Sequence, residues 1–297
     1  MKILITGATG FIGTYLIKHL DKKEYKITGL SRNKNNKTIK KIDLNNKLLL
    51  NDFFKKNKFD IVIHLGFTIN DISPSRTFDE NCLPTVNLLE CCIDNKIKKF
   101  IFASSHMVYG KTTYLPIDEL HPKNPEDNYS ISKLILENFC KMYSISHGID
   151  MIILRISSVY GPEQLDGLVI TNLMKSCLNN KQMTVFKYKN GFQTMDLIHV
   201  KDVCQSIECA INSRVKYGIF NIASGKQITA YDIAKEISKI SGISKIIIKK
   251  INQNTNHFLY DISNTQKKIK FKSKIKINKK ILKPWFEQYV LNSSHKD

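Results

Sequence analysis

The first twenty residues constrain this chain more than any other stretch. The short apolar run KILIT (2–6) leads directly into GATGFIG (7–13), which places glycines at Gly7, Gly10 and Gly13. FIGTYLIKHL (11–20) then repeats its apolar residues at helical spacing. A buried strand, a Gly-x-x-Gly-x-x-Gly turn and a helix, in that order, open a βαβ unit. Glycines there permit a tight turn and close backbone approach to a pyrophosphate. The unpaired N–H groups and dipole of the helix N-terminus favour an anion. Gly7, Thr9, Gly10, Phe11, Ile12 and Gly13 are therefore candidate ligands for the phosphates of a dinucleotide.

The alternation continues through the first half. YKITGL (25–30), DIVIHL (60–65), KFIFAS (99–104) and DMIILRI (150–156) read as buried strands. TVNLLECCIDNKI (85–97) and NYSISKLILENFCKMYSISHG (128–148) read as helices, the latter with Asp127 or Asn128 as N-cap and Gly148 as its stop. This pattern predicts an α/β protein with a Rossmann-type doubly wound parallel sheet. The rhythm breaks near 160–195 and again after 223. Residues 1–159 with about 195–222 are expected to form the dinucleotide-binding domain. Residues about 160–194 with 223–297 are expected to form a smaller C-terminal substrate lobe over the carboxyl ends of the strands.

Selectivity for the adenosine ribose should be set at GLSRN (29–33). An acidic residue there would accept hydrogen bonds from both ribose hydroxyls, but the chain has Ser31 and Arg32. An arginine can pair with a 2′-phosphate, so NADP(H) is the expected cofactor, with NAD(H) the option if Arg32 is merely solvated. Asp43 and Leu44 follow a third short run and are placed to meet the adenine edge. Further on, Tyr129 and Lys133 stand at i and i+4 in NYSISK, one helical turn apart on one face. That spacing suits a tyrosine acid/base whose pKa a neighbouring ammonium lowers, with the lysine also able to reach a cofactor ribose. Upstream, KFIFASSHMVYG (99–110) ends a buried strand in Ser104 and Ser105, whose hydroxyls would face the cofactor.

At this point the sequence resembles the extended short-chain dehydrogenase/reductases, the family of nucleotide-sugar 4-epimerases, 4,6-dehydratases and 4-ketoreductases. The matching segments are GATGFIG (7–13), VIHLG (62–66), ENCLPTVNLLE (80–90), SSHMVYG (104–110), YSISK (129–133), LRISSVYGP (154–162), DLIHVKDV (196–203) and FNIASG (220–225). They cover about residues 1–225 in family order. The resemblance implies that Ser105 polarises a substrate carbonyl, Tyr129 exchanges the proton, and Lys133 binds the ribose. It also implies that Leu65, Gly66, Asn81 and Ser104 contact the cofactor, and that His106, Met107, Ser158, Val185 and Phe186 join Ser105 at the substrate. A homodimer through the helices near 80–97 and 128–147 is expected on the same ground.

Departures from the family pattern narrow the reaction. Dehydratases of the family carry Asp-Glu where this chain has His106-Met107. Ser158 replaces a common Asn, and Met195 stands where an arginine often meets the diphosphate. That leaves Lys187, Lys189, Lys249 or Lys250 as candidates for the anion. The expected activity is NADPH-dependent reduction of a nucleotide-linked 4-keto-6-deoxysugar for surface polysaccharide. A nucleotide-sugar 4-epimerase is the alternative, and a non-catalytic NADP-binding regulator the reading from another class.

Composition excludes other classes. The net charge of +20 comes almost wholly from lysines spread along the chain among Asn and Ile, which reads as compositional bias and gives no nucleic-acid face. The densest run, KKIKFKSKIKINKK (267–280), reads as a solvated edge or loop, or as a field that attracts an anionic substrate. The seven cysteines show no CxxC spacing, so no metal site or disulfide framework is expected. With no cleavable signal and no bilayer-length apolar stretch, a cytoplasmic protein without membrane association is expected.

Overall fold

The computed structural model describes residues 1–23, 25–69, 73–164, 167–243 and 245–293. The first half runs β1 (Lys2–Thr6), α1 (Phe11–Leu20), β2 (Lys26–Ser31), β3 (Ile39–Lys41), α2 (Lys47–Lys56) and β4 (Ile61–His64). It continues through α3 (Pro74–Thr77), a π-helical turn (Phe78–Cys82), α4 (Leu83–Asp94), β5 (Lys99–Ser105), a 3-10 turn (His106–Tyr109), α5 (Asn128–His147) and β6 (Asp150–Ile156). The second half holds β7 (Ser158–Tyr160), α6 (Val169–Asn180), β8 (Met183–Tyr188), β9 (Gly191–Phe192), β10 (Thr194–Met195), β11 (Leu197–His199), α7 (Val200–Asn212) and β12 (Tyr217–Ile222). It closes with β13 (Ile228–Thr229), α8 (Ala230–Ser241), β14 (Ile246–Lys250), α9 (Ser263–Lys268) and α10 (Lys279–Ser293).

The main sheet has the order β12-β6-β5-β4-β1-β2-β3, and every neighbouring pair in it is parallel. Its strands are apolar on both faces because helices cover both. Alternate residues of one strand enter different cores: Ile3 and Ile5 join Leu16, Leu20 and Ile207 under α1 and α7. Leu4, between them, joins Leu50, Leu88 and Leu136 under α2, α4 and α5. A third cluster, around Met174, Val185, Ile233, Ile237, Leu282 and Trp285, packs the small three-stranded sheet β14-β8-β9 against α6, α8 and α10.

The sequence reading anticipated the five central strands to within a residue and α5 in full. Asp127 caps α5, accepting from the Ser130 N–H at 2.7 Å in a reciprocal capping box, and Gly148 ends it at φ +68°. The reading did not anticipate α2. The 270–277 part of the lysine run has no regular secondary structure, with Phe271 buried, Ile275 and Ile277 half-buried and its lysines exposed, which matches the solvated-loop alternative.

Two buried polar systems pin these layers. Thr85 Oγ1 donates to the Asn81 carbonyl (2.6 Å), so His64 donates from Nε2 to Thr85 (2.8 Å) and accepts at Nδ1 from Thr6 Oγ1 (2.6 Å). This chain joins β1, β4 and α4. Burial pulls the His64 pKa down to about 3 and keeps the ring neutral. Behind β5, Arg155 of β6 grips Glu137 of α5 through Nε (3.0 Å) and Nη2 (2.7 Å). Both side chains are almost wholly buried. Ser104 Oγ adds a hydrogen bond to Glu137 at 2.5 Å. Arg155 Nη1 donates to Tyr109 Oη, which donates to Asn221 of β12.

Removing one partner of such a pair strands the other charge, at a cost of about 3–5 kcal/mol. Glu137→Ala should therefore lower the urea midpoint sharply, whereas Lys283→Ala, in an exposed pair with Glu287, should change the unfolding free energy by less than about 1 kcal/mol. Acid stability follows from the histidines. His64 titrates near 6.5 in the unfolded chain, while the folded chain resists its protonation until about pH 3. The unfolded state thus binds more protons in that window, and stability falls as pH drops through it. His64→Gln should flatten the decline in thermal midpoint between pH 6.5 and 4; an unchanged slope would remove His64 as its source.

Candidate active site

The carboxyl ends of β1, β2 and β4 frame a cavity of about 300 Å³ lined by the glycine turn, the Leu30–Asn33 corner, Asp43–Asn45 and the Leu65–Thr68 loop. Gly7 has φ +65°, and a Cβ there would lie 2.7 Å from the Gly66 nitrogen. A Cβ on Gly13 would meet the Gly7 carbonyl oxygen at 2.2 Å, so Gly13 lets α1 sit against the turn. Gly10 is the N-cap of α1 and no side chain caps it. The first N–H groups of the helix, at Phe11, Ile12 and Gly13, are therefore left for a ligand. The side chains of Phe11 and Ile12 pack elsewhere, against Tyr15 and the core. This cradle fits the pyrophosphate of a dinucleotide.

At the adenosine end, Ser31 is buried and shares a 3.2 Å hydrogen bond with Thr9. Arg32 is exposed and lines both this cavity and an adjoining concavity with Asn33, Lys41, Asp43 and Asn46. Lys41 is brought there by the parallel register of β2 and β3, which pairs Ser31 with Lys41. Sequence reasoning missed Lys41, because only that pairing relates it to Ser31. Asp43 and Leu44 line the same cavity.

Ser105, Tyr129 and Lys133 meet at the next strand end. A hydrogen bond from Ser105 draws the Tyr129 pKa down, yet burial dominates and pushes it up to about 12. Lys133 is fully buried; its Nζ donates to the Ala103 carbonyl (2.5 Å) and lies 3.1 Å from the centre of the Phe67 ring. Burial lowers the lysine's own pKa well below its ordinary value. The expected lowering of the Tyr129 pKa by an adjacent ammonium is thus corrected: in this arrangement desolvation acts on both groups, and Ser105 is what favours the phenolate. Phe67, which no sequence pattern marked, stacks edge-on to Tyr129 at 6.3 Å and covers the lysine.

His106 extends the site toward the lobe. Tyr260 Oη lies 2.8 Å from its Nδ1 and Ser158 Oγ 3.3 Å from its Nε2. Burial lowers its pKa to about 4, so it is a neutral ring at pH 7. Met107 and Ser158 are exposed beside it. Tyr260 was not singled out from sequence, and only the fold brings it 154 positions back to His106.

Three of the expected side chains do not face the cleft. Ser104 turns away from the cleft to Glu137, because neighbouring residues of a strand face opposite sides. Asn81 is buried and holds the Thr68 backbone through both amide atoms (2.8 and 3.0 Å), so its side chain shapes the wall. Val185 is 1% exposed in the lobe core, while its neighbour Phe186 is exposed on β8. Leu65 and Gly66 do line the cofactor cavity. Met195 packs against the lobe core; Lys249 and Lys250 are exposed on β14, in register with Phe186 and Lys187. Among the described residues no helix is long and apolar enough to cross a membrane, and no cluster of potential metal ligands occurs.

Comparison with known proteins agrees with this architecture. The NAD dependent epimerase/dehydratase family matches residues 3–223. The putative UDP-glucose 4-epimerase of Methanocaldococcus jannaschii is 36% identical over 251 residues, which span 78% of this chain and 81% of that one. The dTDP-D-glucose 4,6-dehydratase of Dictyostelium discoideum is 33% identical over 274 residues, 81% of this chain and 62% of that protein. The crystal structure of UDP-glucuronic acid 4-epimerase from Bacillus cereus in complex with NAD superimposes with a TM-score of 0.85 and 26% identity, covering 97% of this chain and 99% of that one. The chain belongs to the NAD dependent epimerase/dehydratase family, within the extended short-chain dehydrogenase/reductases, and is an enzyme of the nucleotide-sugar epimerase/dehydratase type that uses a nicotinamide cofactor.

Proposed function

We propose that the protein is an NADPH-dependent 4-ketoreductase acting on a nucleotide-linked 4-keto-6-deoxysugar. The observation that carries the reading is the adenosine end of the cleft: β2 ends in Ser31 and Arg32 instead of a carboxylate, and Lys41 stands beside Arg32. Two cations suit a 2′-phosphate, and a reductase that consumes cofactor profits from the reduced NADP pool. His106 and Met107 occupy the positions of the dehydratase Asp-Glu pair, and neither supplies a carboxylate for water elimination.

In this reading the glycine turn and α1 hold the pyrophosphate, and Arg32 with Lys41 holds the 2′-phosphate. When bound, the nicotinamide supplies the hydride that reaches sugar C4. Ser105 Oγ donates a hydrogen bond to the C4 carbonyl oxygen, and Tyr129 Oη gives it the proton. Lys133 leaves the Ala103 carbonyl and the Phe67 ring to bind the nicotinamide ribose. His106, kept neutral by burial and hydrogen-bonded to Tyr260, faces the sugar with Met107 and Ser158. Phe186 belongs to the nucleotide side of the lobe, and a homodimer in the cytoplasm is the expected assembly.

A second reading, a nucleotide-sugar 4-epimerase, is favoured by the names of the relatives, one of which was crystallised with NAD. Absorbance at the reduced-cofactor band separates the two. The reductase should oxidise NADPH stoichiometrically with a 4-keto-6-deoxysugar nucleotide and prefer it to NADH by at least tenfold. Arg32→Ala should erase that preference, and Tyr129→Phe should lower kcat by about a hundredfold or more, as general acid–base catalysis implies. Interconversion of unreduced sugar nucleotides without NADPH consumption would establish the epimerase instead.

A further inference from the structure

The two ring nitrogens of His106 meet unlike surroundings. Nδ1 lies 2.8 Å from the Tyr260 hydroxyl, and Nε2 lies 3.3 Å from the Ser158 hydroxyl. Tyr260 is 3% exposed, and among the described residues its hydroxyl has no other hydrogen-bond partner. Ser158 is exposed, so its hydroxyl can turn to water. The ring is neutral at pH 7, so one nitrogen carries the proton and the other accepts. With the proton on Nδ1, the phenolic hydrogen of Tyr260 would be stranded in the interior without an acceptor, which is costly. With the proton on Nε2, Tyr260 donates to Nδ1 and Nε2–H points toward Ser158. The second arrangement satisfies the buried partner.

Tyr260 is itself held in place. Its N–H donates to Asp196 Oδ2 at 3.2 Å. On either side of it, the Ile117 N–H donates to the Leu259 carbonyl (2.7 Å) and the Asp261 N–H donates to the Ile117 carbonyl (2.9 Å). The His106 ring meets Phe258 edge-on with centres 6.2 Å apart, and Tyr260 at 5.7 Å. Phe258 and Tyr260 thus orient the imidazole, while its Nε2 edge is left to an exposed serine. A 3.3 Å contact is long for a hydrogen bond, so an oxygen brought by a substrate can take the place of Ser158 at Nε2.

We infer that His106 is a specificity residue, an Nε2–H donor that Tyr260 aims at the sugar hydroxyl next to the reacting carbonyl. Ser105 directly precedes it and, in the proposed reaction, holds the C4 oxygen. Two carbons flank C4 in a 4-keto-6-deoxysugar: C5 bears a methyl group, and C3 bears a hydroxyl. The C3 oxygen is therefore the exocyclic acceptor beside the carbonyl. Tyr260 is a positioning residue, which acts by keeping the proton off Nδ1. A site built to pair a hydroxyl discriminates against a substrate that lacks it. The sugar contact rests on the 4-ketoreductase reading above, whereas the position of the proton on His106 does not.

Two measurements on the intact protein separate these levels. Correlation of imidazole protons with ring nitrogens by NMR, after nitrogen-15 labelling of histidine, reads the proton position; the signal lost in His106→Gln identifies the ring. At pH 7 the wild type should carry the proton on Nε2, and Tyr260→Phe should let the Nδ1–H form appear. Turnover with NADPH reads the contact. UDP- or dTDP-linked 4-keto-6-deoxyglucose should exceed its 3-deoxy counterpart in kcat/KM by about tenfold, the worth of one hydrogen bond with its donor left unpaired in the analogue. His106→Phe, which keeps a ring against Phe258 without an N–H, should bring that ratio close to one. His106→Gln, which keeps a donor, should restore part of it, and Tyr260→Phe should lower it. A proton on Nδ1 in the wild type, or a 3-hydroxyl preference that survives His106→Phe, would overturn the role of His106 while NADPH oxidation continues. No NADPH oxidation with any of the keto sugars would overturn the reductase reading and the sugar contact with it, and the NMR result would still decide the proton position.

Discussion

The buried ion pair between Glu137 and Arg155 is the interaction on which the active-site geometry depends. Glu137 lies one helical turn beyond Lys133 on the buried face of α5. Its carboxylate is held by Arg155 from β6 and Ser104 from β5. Through Tyr109 and Asn221 the same network reaches β12. The helix that carries Tyr129 and Lys133 is thereby fixed in rotation and height against the strand that ends in Ser105. A charge pair in this setting stabilises only because its geometry and additional hydrogen bonds offset desolvation. Side chains from three strands and one helix meet those conditions together, so no layer can shift without loosening the others.

This network also explains how far the sequence could be read. Motifs whose chemistry is local were legible. The glycine turn needs close backbone approach at Gly7 and Gly13, and the capping box of α5 needs Asp127 and Ser130. The continuous apolar strands are legible because both faces of a parallel sheet are covered. Residues whose placement arises across the sheet were not legible. Ser104 and Ser105 are adjacent, and only strand alternation sends the first to Glu137 and leaves the second for the cleft. Lys41 reaches Arg32 through strand pairing, and Tyr260 reaches His106 from the far end of the chain. Phe67 covers Lys133 because a loop folds over it, and nothing in its sequence context signals that.

Burial sets the resting chemistry of the site. Tyr129, Lys133 and His106 are each shifted toward their neutral forms by desolvation. A neutral tyrosine is a proton donor, which suits delivery of a proton to a carbonyl oxygen, and a neutral histidine beside it can donate or accept a hydrogen bond. Positive charge is kept for the periphery, at Arg32 and Lys41, where a phosphate would meet it near solvent. Cations at the adenosine end are what the proposed reduction, drawing on a phosphorylated cofactor, would use.

Isotope transfer tests that account most directly. NADPH deuterated at the transferable C4 position of the nicotinamide would be turned over with a 4-keto-6-deoxysugar nucleotide, and the product examined by mass spectrometry and proton NMR. The account predicts one deuterium at sugar C4 for each NADP⁺ formed. A 4-keto sugar left unreduced with no NADP⁺ formed, while a sugar nucleotide with a C4 hydroxyl is inverted at C4 without taking up deuterium, would contradict it, since the hydride would then come from a cofactor the enzyme recycles within its own site.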